Sequence, residues 1–210
     1  MEIKVLPVGL FETNCYLVHI PERRRVYVID PGGDAAEILR AVRSFSFDSA
    51  AILLTHAHVD HISAAGEVAE KLRTDYVFLP EPDHELYRSP ENMLPPYLPC
   101  AGNLPPATGR VPAADAVDFK VVALPGHTPG GCGFYFPGAS PGPAFFVGDT
   151  IFAGSIGRTD FPGGDYETLQ HSIRHGILTL PDEIVLYPGH GPATTVGRER
   201  RQNPYLQDER

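Results

Sequence analysis

Apolar residues recur along this chain with two different periods, and the switches between them divide it into elements. Residues 2–8, 13–20 and 25–30 are rich in Val, Ile, Leu and Tyr and are separated by Gly, Pro, Asn or charged clusters, which predicts three strands. From 35 to 45 the period lengthens. Ile38, Leu39, Val42 and Phe45 fall at helical spacing behind Asp34, a residue suited to cap the helix. The run Ala50-Ala51-Ile52-Leu53-Leu54 then reads as a buried strand. Ile62, Ala65, Ala69 and Leu72 mark one face of a second helix, and Tyr76-Val77-Phe78-Leu79 a short strand.

Residues 89–112 hold seven prolines and little periodicity, which predicts a long loop that either covers a functional site or is a mobile insertion. Met93, Tyr97 and Leu98 are available there to wall a pocket. Strands follow over 116–124, 132–136, 144–148 and 184–187, with a helix over 165–178 turning Tyr166, Leu169, Ile173 and Ile177 inward. No composition shift marks a boundary, so residues 1–210 are expected to form a single domain. Each half reads as strands with helices outside them, which suggests an α+β protein of two packed sheets with helices on both outer faces.

Composition narrows the function classes. The net charge of −9 would repel a phosphate backbone, and no basic stripe with interleaved aromatics is present, so nucleic acid is not an expected partner. Cys15, Cys100 and Cys132 are widely spaced and form no CxxC, which predicts small buried hydrophobes in a reducing compartment. Met1-Glu2-Ile3-Lys4-Val5 lacks the pattern of an export signal, and no segment approaches membrane-spanning length. The expectation is a soluble cytoplasmic protein acting on a small molecule, with no signal that fixes an oligomeric state.

The chemistry concentrates in Thr55-His56-Ala57-His58-Val59-Asp60-His61, directly after the strand at 50–54. In extended chain His56, His58 and Asp60 would share one face while His61 opens the next helix. A chain of this composition should show His-x-His-x-Asp-His by chance only roughly once in a thousand. Further candidates sit at other strand ends: His127 in Pro125-Gly126-His127-Thr128-Pro129-Gly130, Asp149 after Gly148, and His190 in Pro188-Gly189-His190-Gly191. Asp30, at the end of the third strand, is either a hydrogen-bond acceptor behind a ligand histidine or a turn residue. Seven nitrogen and oxygen donors without sulfur suit two divalent ions, zinc or iron, with Asp149 as the natural bridge. Two ions about 3.5–4 Å apart can hold a hydroxide between them for attack on a carbonyl carbon. Asp60 would orient it or accept the proton. Arg158 is a candidate clamp for an anionic substrate group. His171 and His175, four apart on a helix, read as a solvated face.

The set His-x-His-x-Asp-His, then His, then Asp, then His resembles the metallo-β-lactamase superfamily from Ile29-Asp30-Pro31-Gly32 through His190. The resemblance implies a four-layer αββα sandwich, with His56, His58 and His127 on a first metal, Asp60, His61 and His190 on a second, and Asp149 on both. Gly148-Asp149-Thr150-Ile151-Phe152, the loop Gly154 to Phe161, Pro188 to Pro192 and Asn203-Pro204-Tyr205-Leu206 are similar to the glyoxalase II-like hydrolases. That implies cleavage of thioesters such as S-lactoylglutathione, with zinc, iron or a mixed pair, and places Arg158 where a basic glutathione-contacting residue occurs. Full-length glyoxalase II carries a C-terminal helical domain that holds glutathione, whereas about twenty residues follow His190 here. Arg198, Arg200 and Arg201 in that stretch read as a basic surface run. Two neighbouring activities share much of the pattern. Persulfide dioxygenases resemble the chain in Gly157-Arg158-Thr159-Asp160-Phe161 and would use one iron on His58, His127 and Asp149. Lactone and ester hydrolases pose the same carbonyl problem.

Overall fold

The computed structural model describes residues 1–74, 76–139 and 142–207. The chain forms two compact units, Met1–Val111 and Pro112–Arg210, each with its own five-stranded sheet. Among the described residues no helix is long and apolar enough to cross a membrane.

In the first unit β1 (Glu2–Val8), β2 (Thr13–Ile20) and β3 (Arg25–Ile29) form an antiparallel meander. Helix α1 (Ala35–Val42) then carries the chain over to β4 (Ser49–Leu53), parallel to β3. The ligand-bearing segment follows as the single turn α2 (Val59–Ile62), then α3 (Ala65–Leu72) and β5 (Val77–Phe78), giving the order β1-β2-β3-β4-β5. Ile38 and Val42 of α1 and Val68 of α3 share a core with Leu17, Val28, Ile52 and Leu54 of the sheet. The alternate residues Tyr27, Ile29 and Leu53 are buried too, which explains why these strands read as apolar runs rather than as alternation.

A further short helix, α4 (His84–Arg88), precedes the proline-rich stretch, which is loop apart from a turn of 3-10 helix at Pro90–Asn92. In the second unit β6 (Lys120–Ala123), β7 (Cys132–Phe136) and β8 (Ala144–Gly148) are antiparallel neighbours. A two-stranded ribbon, β9 (Ile151–Phe152) with β10 (Ser155–Ile156), leads towards α5 (Tyr166–Ser172). Then β11 (Val185–Pro188), parallel to β8, β12 (Thr194–Thr195) and α6 (Val196–Gln202) complete the chain, with sheet order β12-β11-β8-β7-β6. Leu169, Ile173 and Ile177 pack on Phe145, Val147 and Leu186. The aromatic rings of Phe119, Phe134, Phe136 and Phe146 meet mostly edge to face, with centroids 5.3–5.7 Å apart.

Several expectations are corrected. Asp34 does not cap α1 through its side chain; it sits at φ +47°, and its Oδ2 instead accepts from Gly9 N at 2.8 Å. The strand expected over 116–124 is confined to 120–123, because Asp115 and Asp118 belong to tight turns whose amides bond locally. Tyr166 is half-exposed rather than inward, since it occupies the first position of α5, before the apolar stripe begins. Cys15 and Cys132 are buried, and burial pushes the Cys15 thiol well up, but Cys100 lies exposed in the proline-rich loop. The ribbon β9–β10 and helix α6 had no periodic signal, being too short or too polar for one.

Gly32 shows how tightly the first unit is closed around the ligand segment. A Cβ there would lie 1.6 Å from the backbone oxygen of Asp60. Gly32→Ala should therefore destabilise the protein by about 3 kcal/mol, as overpacking against backbone does. The expected fall in melting temperature is roughly 6–12 °C for a chain of this size. An unchanged melting temperature by calorimetry would contradict this packing.

Candidate metal centre

The four ligands of the first unit are delivered by the break between β4 and α2. Leu54 is still tied to Phe78 by its amide; the chain then bends at Thr55 and His56 and is extended again at His58, which has φ −70° and ψ 145°. Helix begins at Val59, so Asp60 does not continue the extended face of His56 and His58; it and His61 are placed by one helical turn, closed by His61 N donating to His58 O at 2.9 Å. All four are buried: His56 2%, His58 3%, Asp60 6% and His61 0% exposed. A ligand atom of His56 lies within 4.8 Å of one on His58 and of one on His61. Asp60 Oδ2 lies 3.7 Å from His61 Nε2. That separation is too long for a hydrogen bond, but two donors at about 2.1 Å from one tetrahedral ion stand about 3.4 Å apart.

What orients these rings is Asp30. It ends β3 at φ +50°, a left-handed conformation that Asp tolerates, and is 2% exposed. Its Oδ1 accepts from Thr55 N at 2.8 Å; its Oδ2 accepts from Thr55 Oγ1 at 2.6 Å and from His61 Nδ1 at 2.9 Å. Because the Thr55 hydroxyl gives its proton to Asp30, it can only accept from His56 Nδ1, 3.0 Å away. One carboxylate therefore fixes both histidines as the tautomer with Nδ1 protonated and the Nε2 lone pair available.

Three more residues of this unit buttress the ligands without any sequence signal. Thr13, fully buried at the start of β2, directs Oγ1 at Asp60 Oδ2 over 3.3 Å. Asp83, also fully buried, accepts from Ala57 N at 3.0 Å and so anchors the turn between His56 and His58. Pro31 O takes the amide of Ala64, which secures the far end of α2.

In the second unit β6, β8 and β11 run in the same direction, and the three ligands lie beyond their C-terminal ends. Gly189 N bonds to Gly148 O at 2.9 Å, holding Asp149 and His190 side by side at the ends of adjacent parallel strands. Asp149 Oδ2 lies 3.7 Å from His127 Nε2 and 3.6 Å from His190 Nε2. One carboxylate oxygen thus stands between two imidazoles at distances that donors to a common ion would show. His127 Nδ1 donates to Arg158 O at 2.7 Å, which again leaves Nε2 as the coordinating atom. Only Gly fits at 157, because a Cβ would meet Asp149 O at 1.9 Å.

Arg158 is the site residue whose surroundings add most to its sequence reading. Its guanidinium is bidentate to Asp160 at 2.7 and 2.6 Å and stacks 3.8 Å over the Phe161 ring. That pairing, chiefly the Arg158 hydrogen bond, holds the Asp160 carboxyl down at about 2. The residue's contact with the ligand set is through its carbonyl. The loop bearing it is in turn secured by α6: buried Glu199 accepts from Gly154 N, Thr194 Oγ1 and Asn203 Nδ2, and Asn203 Nδ2 also reaches Ser155 O. Arg200 and Arg201 both bind Asp182, so this part of the basic run ties down α6.

The chemistry of the donors fits divalent transition metals: imidazoles held at Nδ1 so that Nε2 is presented, with carboxylates beside them. Asp30→Asn keeps the shape of the side chain but removes the charge behind two histidines. It should weaken metal retention about 10–100-fold, the usual cost of losing such a partner. Thr13→Val should lower it less and leave folding intact. Metal content after graded dialysis against a chelator checks both; equal retention by Asp30→Asn and the parent protein would contradict the tautomer argument.

Comparison with known proteins places the chain in a family. Residues 8–190 match the metallo-β-lactamase superfamily. The chain is 38% identical over 212 residues to hydroxyacylglutathione hydrolase GloC of Haemophilus influenzae, covering 98% of each. It superposes on the crystal structure of TTHA1623 in a di-iron-bound form with a TM-score of 0.80 at 34% identity, covering 97% of this chain and 100% of that one. On the crystal structure of ETHE1 from Myxococcus xanthus the TM-score is 0.75 at 27% identity, covering 97% and 84%. The chain belongs to the metallo-β-lactamase superfamily, with its fold, and is one of its metal-dependent hydrolases.

Proposed function

We propose that the ligands of both units serve one dinuclear centre that hydrolyses thioesters. In this reading His56, His58 and His127 hold one ion, Asp60, His61 and His190 the other, and Asp149 both. The observation that carries it is the pair of 3.6–3.7 Å separations about Asp149 Oδ2, which suit a carboxylate shared between two metals. The family match spans both units, and GloC supports the thioester by its name.

A pair of divalent ions, when bound, supplies Lewis acidity and a water of lowered pKa. The rest belongs to this chain. Asp30, Thr55 and the Arg158 carbonyl hold three imidazoles by Nδ1 and so aim their Nε2 atoms. Asp60, steadied at Oδ2 by Thr13, orients the attacking water or takes its proton. The half-exposed Phe11 ring meets Tyr97 edge-on at 5.9 Å, giving an apolar surface for an acyl or thiol chain. Arg158 can clamp an anionic group of the substrate only by exchanging Asp160 for it, so its share in binding should be modest. Zinc is our first choice and iron the second, the latter supported by the di-iron form of TTHA1623. A reducing, cytoplasmic setting suits three free thiols.

Likeness to ETHE1 favours one rival, a mononuclear iron centre on His58, His127 and Asp149 that oxidises persulfides. The protein loaded with zinc or with iron should release glutathione from S-lactoylglutathione and should consume no oxygen with glutathione persulfide. Oxygen uptake by the iron form without thioester cleavage would overturn the proposal in favour of the rival. Asp149→Ala should lose both metals, whereas His61→Ala should keep the first. Two equivalents retained by Asp149→Ala would contradict the bridge. Arg158→Ala should raise KM for the glutathione thioester only several-fold and leave kcat nearly unchanged.

A further inference from the structure

Helix α5 does not end at Ser172. It passes into a π turn over Ile173–Ile177, closed by Leu178 N donating to Ile173 O at 2.9 Å, five residues back. In a regular α-helix, residues four apart are offset by about 40° around the axis. The wider turn winds less per residue and reduces that offset, and π turns of this kind occur frequently at functional sites. Its effect falls on His171 and His175. Both rings are exposed, and they stack with centroids 4.1 Å apart and planes inclined by 27°. His175 Nδ1 donates to His171 O at 3.0 Å. That bond sets the tautomer and leaves the Nε2 lone pair of His175 as a donor for something else.

The surroundings supply more donors. Glu167, one turn before His171, borders the same shallow depression as the two histidines, together with Gln170 and Arg174. Arg174 is drawn towards the Leu206 carbonyl. The buried Oε1 of Gln170 meets no hydrogen-bond donor among the described residues, although its Nε2 is committed to Tyr166 Oη and Tyr205 O. A water carried into the depression by a cation would provide such a donor.

We infer that His171 and His175 form a separate surface site for one borderline divalent cation, Zn²⁺, Ni²⁺ or Cu²⁺, with water completing its shell. Two imidazoles four residues apart on one helical face are the arrangement from which helices hold zinc. Nitrogen donors rank these ions Cu²⁺ above Ni²⁺, and both above Mn²⁺. The site shares no residue with the seven ligands of the main centre and stands whether or not the thioester reading does.

The test uses the full chain with its resident metals in place, titrated with Cu²⁺ and, separately, Ni²⁺. Wild-type protein should take up one equivalent beyond the resident complement. Electron paramagnetic resonance of the first added Cu²⁺ should show two equatorial nitrogens. His175→Gln and the double variant with His171→Asn should lose that equivalent while keeping the resident metals and thioesterase activity. Absence of an extra equivalent in the wild type, a copper spectrum with one nitrogen or none, or an undiminished equivalent in the double variant would each overturn the inference. Because the copper spectrum is read on unaltered protein, a variant that failed to fold would leave the test standing.

Discussion

The carboxylate of Asp30 is the interaction on which the candidate ligands of the first unit depend. It is buried, it ends a central strand in a left-handed conformation, and it takes three hydrogen bonds from the segment that follows the neighbouring parallel strand. A buried charge of this kind is tolerable only when its acceptor sites are filled. Here the donors that fill them are Thr55 and a ligand histidine, so satisfying the carboxylate and aiming the ligands are one arrangement. Gly32, two residues on, lets the Asp30 turn lie against the backbone of Asp60.

The second unit reaches the same end by register rather than by charge. Parallel strands β8 and β11 finish level with each other, and the Gly189–Gly148 hydrogen bond carries that alignment one residue past the sheet. Asp149 and His190 inherit their spacing from it. The carboxyl ends of co-directional strands are where open sheets present functional groups, because the backbone there turns away and leaves side chains converging. His127 differs: it stands in a Gly-Pro turn and depends on a carbonyl from the Arg158 loop, which α6 fastens through Glu199 and Asn203. The residues beyond His190 thus act within the unit as a brace for a metal ligand.

Three arginines of the second unit carry their own counter-charge. Arg158, Arg200 and Arg201 are each bidentate or bridged to an aspartate.

The strands at 2–8, 13–20, 132–136 and 144–148 and all seven ligand candidates could be read from the chain alone. The strands at 13–20, 132–136 and 144–148 are buried on both faces and so read as apolar runs, the mostly exposed strand at 2–8 reads by its Ile, Val and Leu content, and a four-donor cluster within six residues has little structural explanation other than a metal. Asp30 was visible as a strand-end carboxylate with two possible roles, and only the folded chain chose between them. Thr13, Asp83 and Glu199 were not visible at all: each acts on a residue brought near by folding, 47, 26 and 45 positions away, and no local pattern encodes such a partner. Arg158 looked like a clamp because its charge is a property of sequence, whereas its pairing with Asp160 and its carbonyl's grip on His127 are properties of geometry. The sequence determined which atoms can bind a metal; tertiary structure decided which lone pairs they present, because a tautomer is set by the neighbour on the far side of the ring.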